Sequence, residues 1–141
     1  MLVCPIAGAQ QLEKGNWRAA SKTAYSVTGD VAFGDEKISI NFAHYAIAQI
    51  RTLTATEVSA IFAPETDDTG PGNLYRISVP GDKKFVSKNT LCGGEETQWL
   101  VTFVAGKTLR MAFFSGAKMP ELTGEAMVNA TNLCGTYMYV R

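Results

Sequence analysis

Two near-identical tetrapeptides, Leu91-Cys92-Gly93-Gly94 and Leu133-Cys134-Gly135-Thr136, carry the clearest chemistry in this chain. Cysteines in matched settings on distant segments read as the two halves of a disulfide. A Cys92–Cys134 bond would close a loop of about 43 residues and stabilise the fold by roughly 4 kcal/mol through restriction of the unfolded chain. Metal ligation is the competing chemistry for thiolates, and the spacing argues against it. There is no Cys-x-x-Cys pair, and the single histidine, His44, stands far from both cysteines in sequence. No metal and no cofactor is expected.

The remaining reactive side chains are isolated. His44 follows an apolar strand pattern, but a general base needs an orienting acid, and none accompanies it in sequence. No Gly-x-Ser-x-Gly elbow and no phosphate loop occurs. The run Glu65, Asp67, Asp68 lacks the twelve-residue calcium pattern and reads as a solvated loop. Gly93-Gly94 permits a tight turn beside the cysteine, and the carboxylates that follow, Glu95 and Glu96, would then sit on a rim loop able to meet a partner. Trp17, Trp99, Tyr137 and Tyr139 fall on strand patterns; packing in a core is their default role, and facing an open barrel they would line a pocket for an apolar ligand.

The third cysteine, Cys4, lies in an uncharged apolar stretch ending Ala7-Gly8-Ala9, the small-x-small form cut by signal peptidase. Residues 1–9 therefore read as the tail of a secretory signal peptide and residues 10–141 as a single β-domain, with Gln10 as the mature N-terminus. Two alternatives are an apolar N-terminal strand holding a buried free cysteine and a lipidated Cys4, the latter disfavoured by Val3 before it. Export to the periplasm or the exterior agrees with an even cysteine count after cleavage. Thirteen basic residues balance thirteen acidic ones, so nothing suggests nucleic acid, whose binding needs clustered cations. No segment of the mature chain has the length and apolarity of a membrane span.

The elements that would position these residues alternate with period two. Trp17 to Val27 reads as a first strand ending at Thr28-Gly29-Asp30. Val31 and Phe33 then form a hairpin with Ile38, Ile40 and Phe42 around Gly34-Asp35-Glu36. Tyr45 to Leu53 is irregular enough to admit a helical turn, Glu57 to Ala63 alternates again, and Pro64 ends that pattern. Tyr75, Ile77 and Val79 make the next strand. The densest alternation is the hairpin Gln98–Val104 and Thr108–Phe114 around Ala105-Gly106-Lys107, which would place Trp99, Val101 and Phe103 opposite Leu109, Met111 and Phe113 on the buried face. Glu125 to Asn132 is ambiguous, and Tyr137 to Val140 is a terminal strand. Seven to nine strands suffice for an antiparallel barrel or a two-layer sandwich.

Asn89-Thr90-Leu91-Cys92-Gly93-Gly94, the strand pair from Trp99 to Phe114 and Leu133-Cys134-Gly135-Thr136-Tyr137-Met138-Tyr139 together resemble a family of small exported bacterial proteins of unknown function. Trp17 and Thr28-Gly29-Asp30 are similar to that family's opening. The resemblance implies export and a disulfide and supplies no activity. A looser likeness, to lipocalin-like barrels including periplasmic inhibitors of lysozyme and proteases, is one of fold alone; Gly15-Asn16-Trp17 has the form of the lipocalin Gly-x-Trp opening without the rest of that pattern. The expected function is a non-enzymatic barrel binding a small apolar ligand or another exported protein, an inhibitor being one form. The alternatives are a small hydrolase or isomerase using His44 with a carboxylate, and a structural accessory subunit of an envelope complex.

Overall fold

Nine strands in the described residues join one antiparallel sheet: β1 (Gly15–Ala19), β2 (Val31–Gly34), β3 (Lys37–Ile40), β4 (Ala43–Ala46), β5 (Ala48–Leu53), β6 (Gly72–Val79), β7 (Thr97–Ala105), β8 (Thr108–Ser115) and β9 (Leu133–Val140). The computed structural model describes residues 12–62 and 72–141. Cys4, the Ala7-Gly8-Ala9 cleavage motif, Gln10, Ala63, Pro64 and the acidic run Glu65, Asp67 and Asp68 lie outside them. The order β4-β3-β2-β1-β9-β8-β7-β6-β5 curls into a nearly closed barrel. Its two end strands are consecutive in the chain and meet at Ile47, whose N–H donates to the Glu36 carbonyl at 3.0 Å. Among the described residues no helix is long and apolar enough to cross a membrane.

Short turns set the registers. Asn41 and Phe42 connect β3 to β4 with φ of 48° and 71°, the doubly left-handed geometry that matches strand twist in a two-residue hairpin. Between β7 and β8 the pair Ala105↔Thr108 leaves only Gly106-Lys107 as the turn, one residue shorter than the sequence pattern suggests. That difference turns β7 over relative to β8, so Trp99, Val101 and Phe103 are buried as expected but on the opposite face from Leu109, Met111 and Phe113. Leu100, Thr102 and Val104 oppose Phe113, Met111 and Leu109 on the inner face, whereas Trp99 and Val101 pair with Phe114 and Ala112 on the outer one. Both faces are buried because two helices cover the outside, α1 (Ala55–Phe62) and α2 (Gly124–Val128). Val58 and Met127 pack into the outer cluster, and Phe62 stacks on Phe103 at 6.3 Å between ring centroids.

The first of these helices corrects the strand read over Glu57 to Ala63. Thr54 and Glu57 form a reciprocal capping box, in which the Glu57 N–H donates to Thr54 Oγ1 at 3.2 Å and the Thr54 N–H to Glu57 Oε1 at 3.0 Å. The Arg51 guanidinium, bonded to both Glu57 oxygens, holds that carboxyl down to about 2. The long first strand also breaks. It stops at Ala19, and Ser21 captures the next turn by accepting the Ala24 and Tyr25 N–H groups through its hydroxyl and carbonyl, so Ala24–Thr28 winds into a single wide turn. In contrast, Tyr45 to Leu53 is strand throughout apart from the bend at Ile47.

Cys92 and Cys134 are bonded, joining the loop before β7 to the start of β9. Inside the barrel, Trp17, Ile38, Ile40, Leu100, Leu109, Met111, Phe113 and Tyr139 are all fully buried in one cluster.

Candidate functional site

The aromatic residues singled out in the sequence, Trp17, Trp99, Tyr137 and Tyr139, are all buried. Trp17 is enclosed inside the barrel, its indole N–H donating to the Glu13 carbonyl at 2.7 Å and its ring covered by the Arg141 guanidinium at 4.1 Å. Tyr139 bonds Thr28 Oγ1 at 2.6 Å, and Tyr137 packs edge-on against Phe113. Trp99 lies on the outer face under the helices, donating to the Gly116 carbonyl at 2.8 Å with Arg76 over its ring. Three of these side chains thus pack in the inner cluster and Trp99 in the outer one. Glu95 and Glu96 are exposed on the turn after Cys92, where Gly93 and Gly94 adopt φ of 62° and 103° as the tight-turn reading requires. Glu96 accepts the Ser78 hydroxyl at 2.6 Å.

One end of the barrel is sealed by a residue with no sequence signal. Glu13 is only 2% exposed and points its carboxyl inward, where the Tyr75 hydroxyl donates to it at 2.5 Å, the Thr102 hydroxyl donates to its other oxygen and the Asn73 amide approaches at 3.5 Å. Burial raises the Glu13 carboxyl above its ordinary value, against the pull of these donors. Tyr75 is pushed upward by burial and by the neighbouring carboxylate. A void of about 50 Å³ adjoins the group, and the Lys14–Asp35 ion pair, among the residues lining it, spans 2.8 Å. Every buried polar side chain here is satisfied, so the cluster reads as a polar plug in an apolar barrel.

At the other end of β2, on the outside, lies an open cleft of about 640 Å³. Its floor is one cross-strand row, Asn16↔Ala32↔Ser39↔His44, which three successive antiparallel registers align across β1 to β4. Ala32 in the middle of the row is too small to fill it. Arg18 stands on the same outward face of β1, Asp30 comes from the turn before β2, and Asn41-Phe42 forms the hairpin tip at the far side. Asp30 is fixed by accepting the Ala19 N–H at 2.9 Å. Phe42 is 96% exposed, and its φ of 71° is strained for a bulky side chain.

His44 belongs to this cleft, with Nδ1 2.6 Å from the Ser39 hydroxyl. Closest cross-strand neighbours give such a contact naturally. Among the described residues no carboxylate bonds the ring, so the pair lacks the third group that would orient it as a base. Nor do three His, Cys, Asp or Glu side chains in these residues converge to hold a metal. His44 and Asp30 are separate signals in the sequence; Asn16, Arg18 and Phe42 join them only through the strand registers. No protein-family model, curated protein or solved structure matches the chain.

Proposed function

We propose that this chain is a non-enzymatic binding protein of the periplasm or the exterior, and that it meets its ligand or protein partner on the outer cleft beneath Phe42. The observation that carries this reading is Phe42 itself. A phenyl ring left almost wholly in water on a strained backbone gains nothing in the free protein, whereas covering it would release about 1.5–3 kcal/mol. Inside the barrel, by contrast, Trp17, Tyr139 and their neighbours are buried against one another in one apolar cluster. Support for export comes from the Cys92–Cys134 bond, which persists in oxidising compartments, and from the resemblance to small exported proteins.

The test places a photo-crosslinking residue at position 42, and separately at Val128, which is also highly exposed but sits on α2. With the chain directed to a bacterial envelope by a secretory signal, a discrete adduct at position 42 and none at 128 is expected. Equal labelling at both positions, or none at 42, would remove the cleft as the binding site.

A further inference from the structure

The chemistry of the cleft narrows the ligand. We infer that it takes a neutral saccharide, an inference that rests on the cleft being the binding site. Three properties converge. The fully exposed ring of Phe42 offers an apolar platform for the C–H face of a sugar ring. Around it stand side chains that both donate and accept, the amides of Asn16 and Asn41 and the Ser39–His44 pair, as a ring of hydroxyls requires. Asn16, Asn41 and Arg18 make no side-chain hydrogen bond among the described residues, so they are free to bond a ligand without breaking a native contact.

Charge and shape exclude the nearest rivals. One guanidinium, Arg18, and one carboxylate, Asp30, balance each other, which favours neither a polyanion nor a polycation. A purely apolar ligand would leave this density of amides and hydroxyls desolvated and unpaired, at about 1–3 kcal/mol each. A small drug-like molecule also needs enclosure over most of its surface, and the cleft is open along its length. An extended chain of sugars can lie along the Asn16–Ala32–Ser39–His44 row, whose side chains repeat at the spacing between strands.

The decisive measurement is a ¹H–¹⁵N titration of the oxidised protein with cellotriose, tri-N-acetylchitotriose and maltotriose. The expected result is selective shifts at Asn16, Ala32, Ser39 and Asn41 with at least one trisaccharide, and weakening of at least tenfold in Phe42→Ala but not in Val128→Ala. Both substitutions are at exposed sites, so a loss of folding does not confound them. Ala32→Leu, which fills the floor, should also weaken binding. Shifts that map elsewhere, or binding unchanged in Phe42→Ala, would overturn the inference. Should no trisaccharide bind while the cross-link at position 42 still captures a molecule, the saccharide class falls and the cleft stands. Absence of both sinks both.

Discussion

A carboxyl group inside an apolar barrel has to be proton-bearing or richly donated, and Glu13 shows the compromise. Its three donors come from β6 and β7, so removing one leaves a buried acceptor short of a partner. Thr102→Ala is therefore expected to destabilise by about 1–3 kcal/mol, and Phe103→Ala by about 3–5 kcal/mol through lost transfer energy and a cavity under Phe62. Urea midpoints of the two variants measure this directly; a neutral Thr102→Ala would mean that the carboxyl is held by other means. The pH dependence has a definite sign. Because the folded carboxyl titrates above the unfolded one, the native state holds the proton more tightly, and stability falls as pH rises from the ordinary carboxylate range through the raised value. Glu13→Gln keeps the volume and cannot ionise, so it should gain on wild type as pH rises over that window and lose the advantage below it. Unfolding curves of both proteins at acid and neutral pH decide this, and a gap that widens towards acid would reverse the assignment.

Among the elements, the β3–β4 turn shows most clearly a local choice that opposes stability. Asn at the first left-handed position is well suited, but Phe at the second is not, and it buries nothing. Phe42→Gly should relieve a left-handed penalty of about 1–2 kcal/mol, offset by about 0.5–1 kcal/mol of extra unfolded-state freedom, leaving a protein slightly more stable and unable to bind. Thermal unfolding with the trisaccharide titration tests both halves, and a less stable Phe42→Gly would show that the ring supports the fold. The same scale explains what the sequence did and did not reveal. Alternation locates β7 and β8 nearly to the residue, yet β7 is turned over relative to β8, because Ala105 pairs with Thr108 and periodicity is blind to a one-residue change in turn length. The helix α1 was masked by the alternating Val58, Ala60 and Phe62, although Thr54-Ala55-Thr56-Glu57 spells a capping box. The cleft was illegible for a different reason: its row is made by three registers at once, and Asn16, Ala32 and Ser39 are unremarkable residues singly.

At the scale of the whole molecule the barrel has a weak join. Besides the meeting at Ile47, the half-sheet β1 to β4 joins the half-sheet β5 to β9 through β1 and β9, whose ladder is two residue pairs, Arg18↔Val140 and Ala19↔Tyr139, extended by the Ala20 and Ser21 N–H groups on the Met138 carbonyl. Side chains reinforce it from both ends. Ser21 bonds the Met138 N–H through its hydroxyl at 3.1 Å, and the last residue, Arg141, donates to the carbonyls of Lys14 and Leu12 at 2.8 and 2.9 Å while lying over Trp17. The Cys92–Cys134 bond lies wholly within the second half and cannot hold the first. The Arg141 clasp thus adds to the Ala20, Ser21 and Thr28 bonds that attach the strands building the cleft, and it also fixes the segment bearing Glu13. Arg141→Ala should remove two bonds to backbone carbonyls and a cation–π contact, together about 1–3 kcal/mol. The loss should be local. Amide hydrogen exchange is expected to accelerate in β1 to β4 and in the cleft row, with β6 to β8 still protected by their long ladders. Uniform acceleration across all nine strands would show instead that the barrel opens as a single unit and that the β1–β9 join is no weaker than the rest.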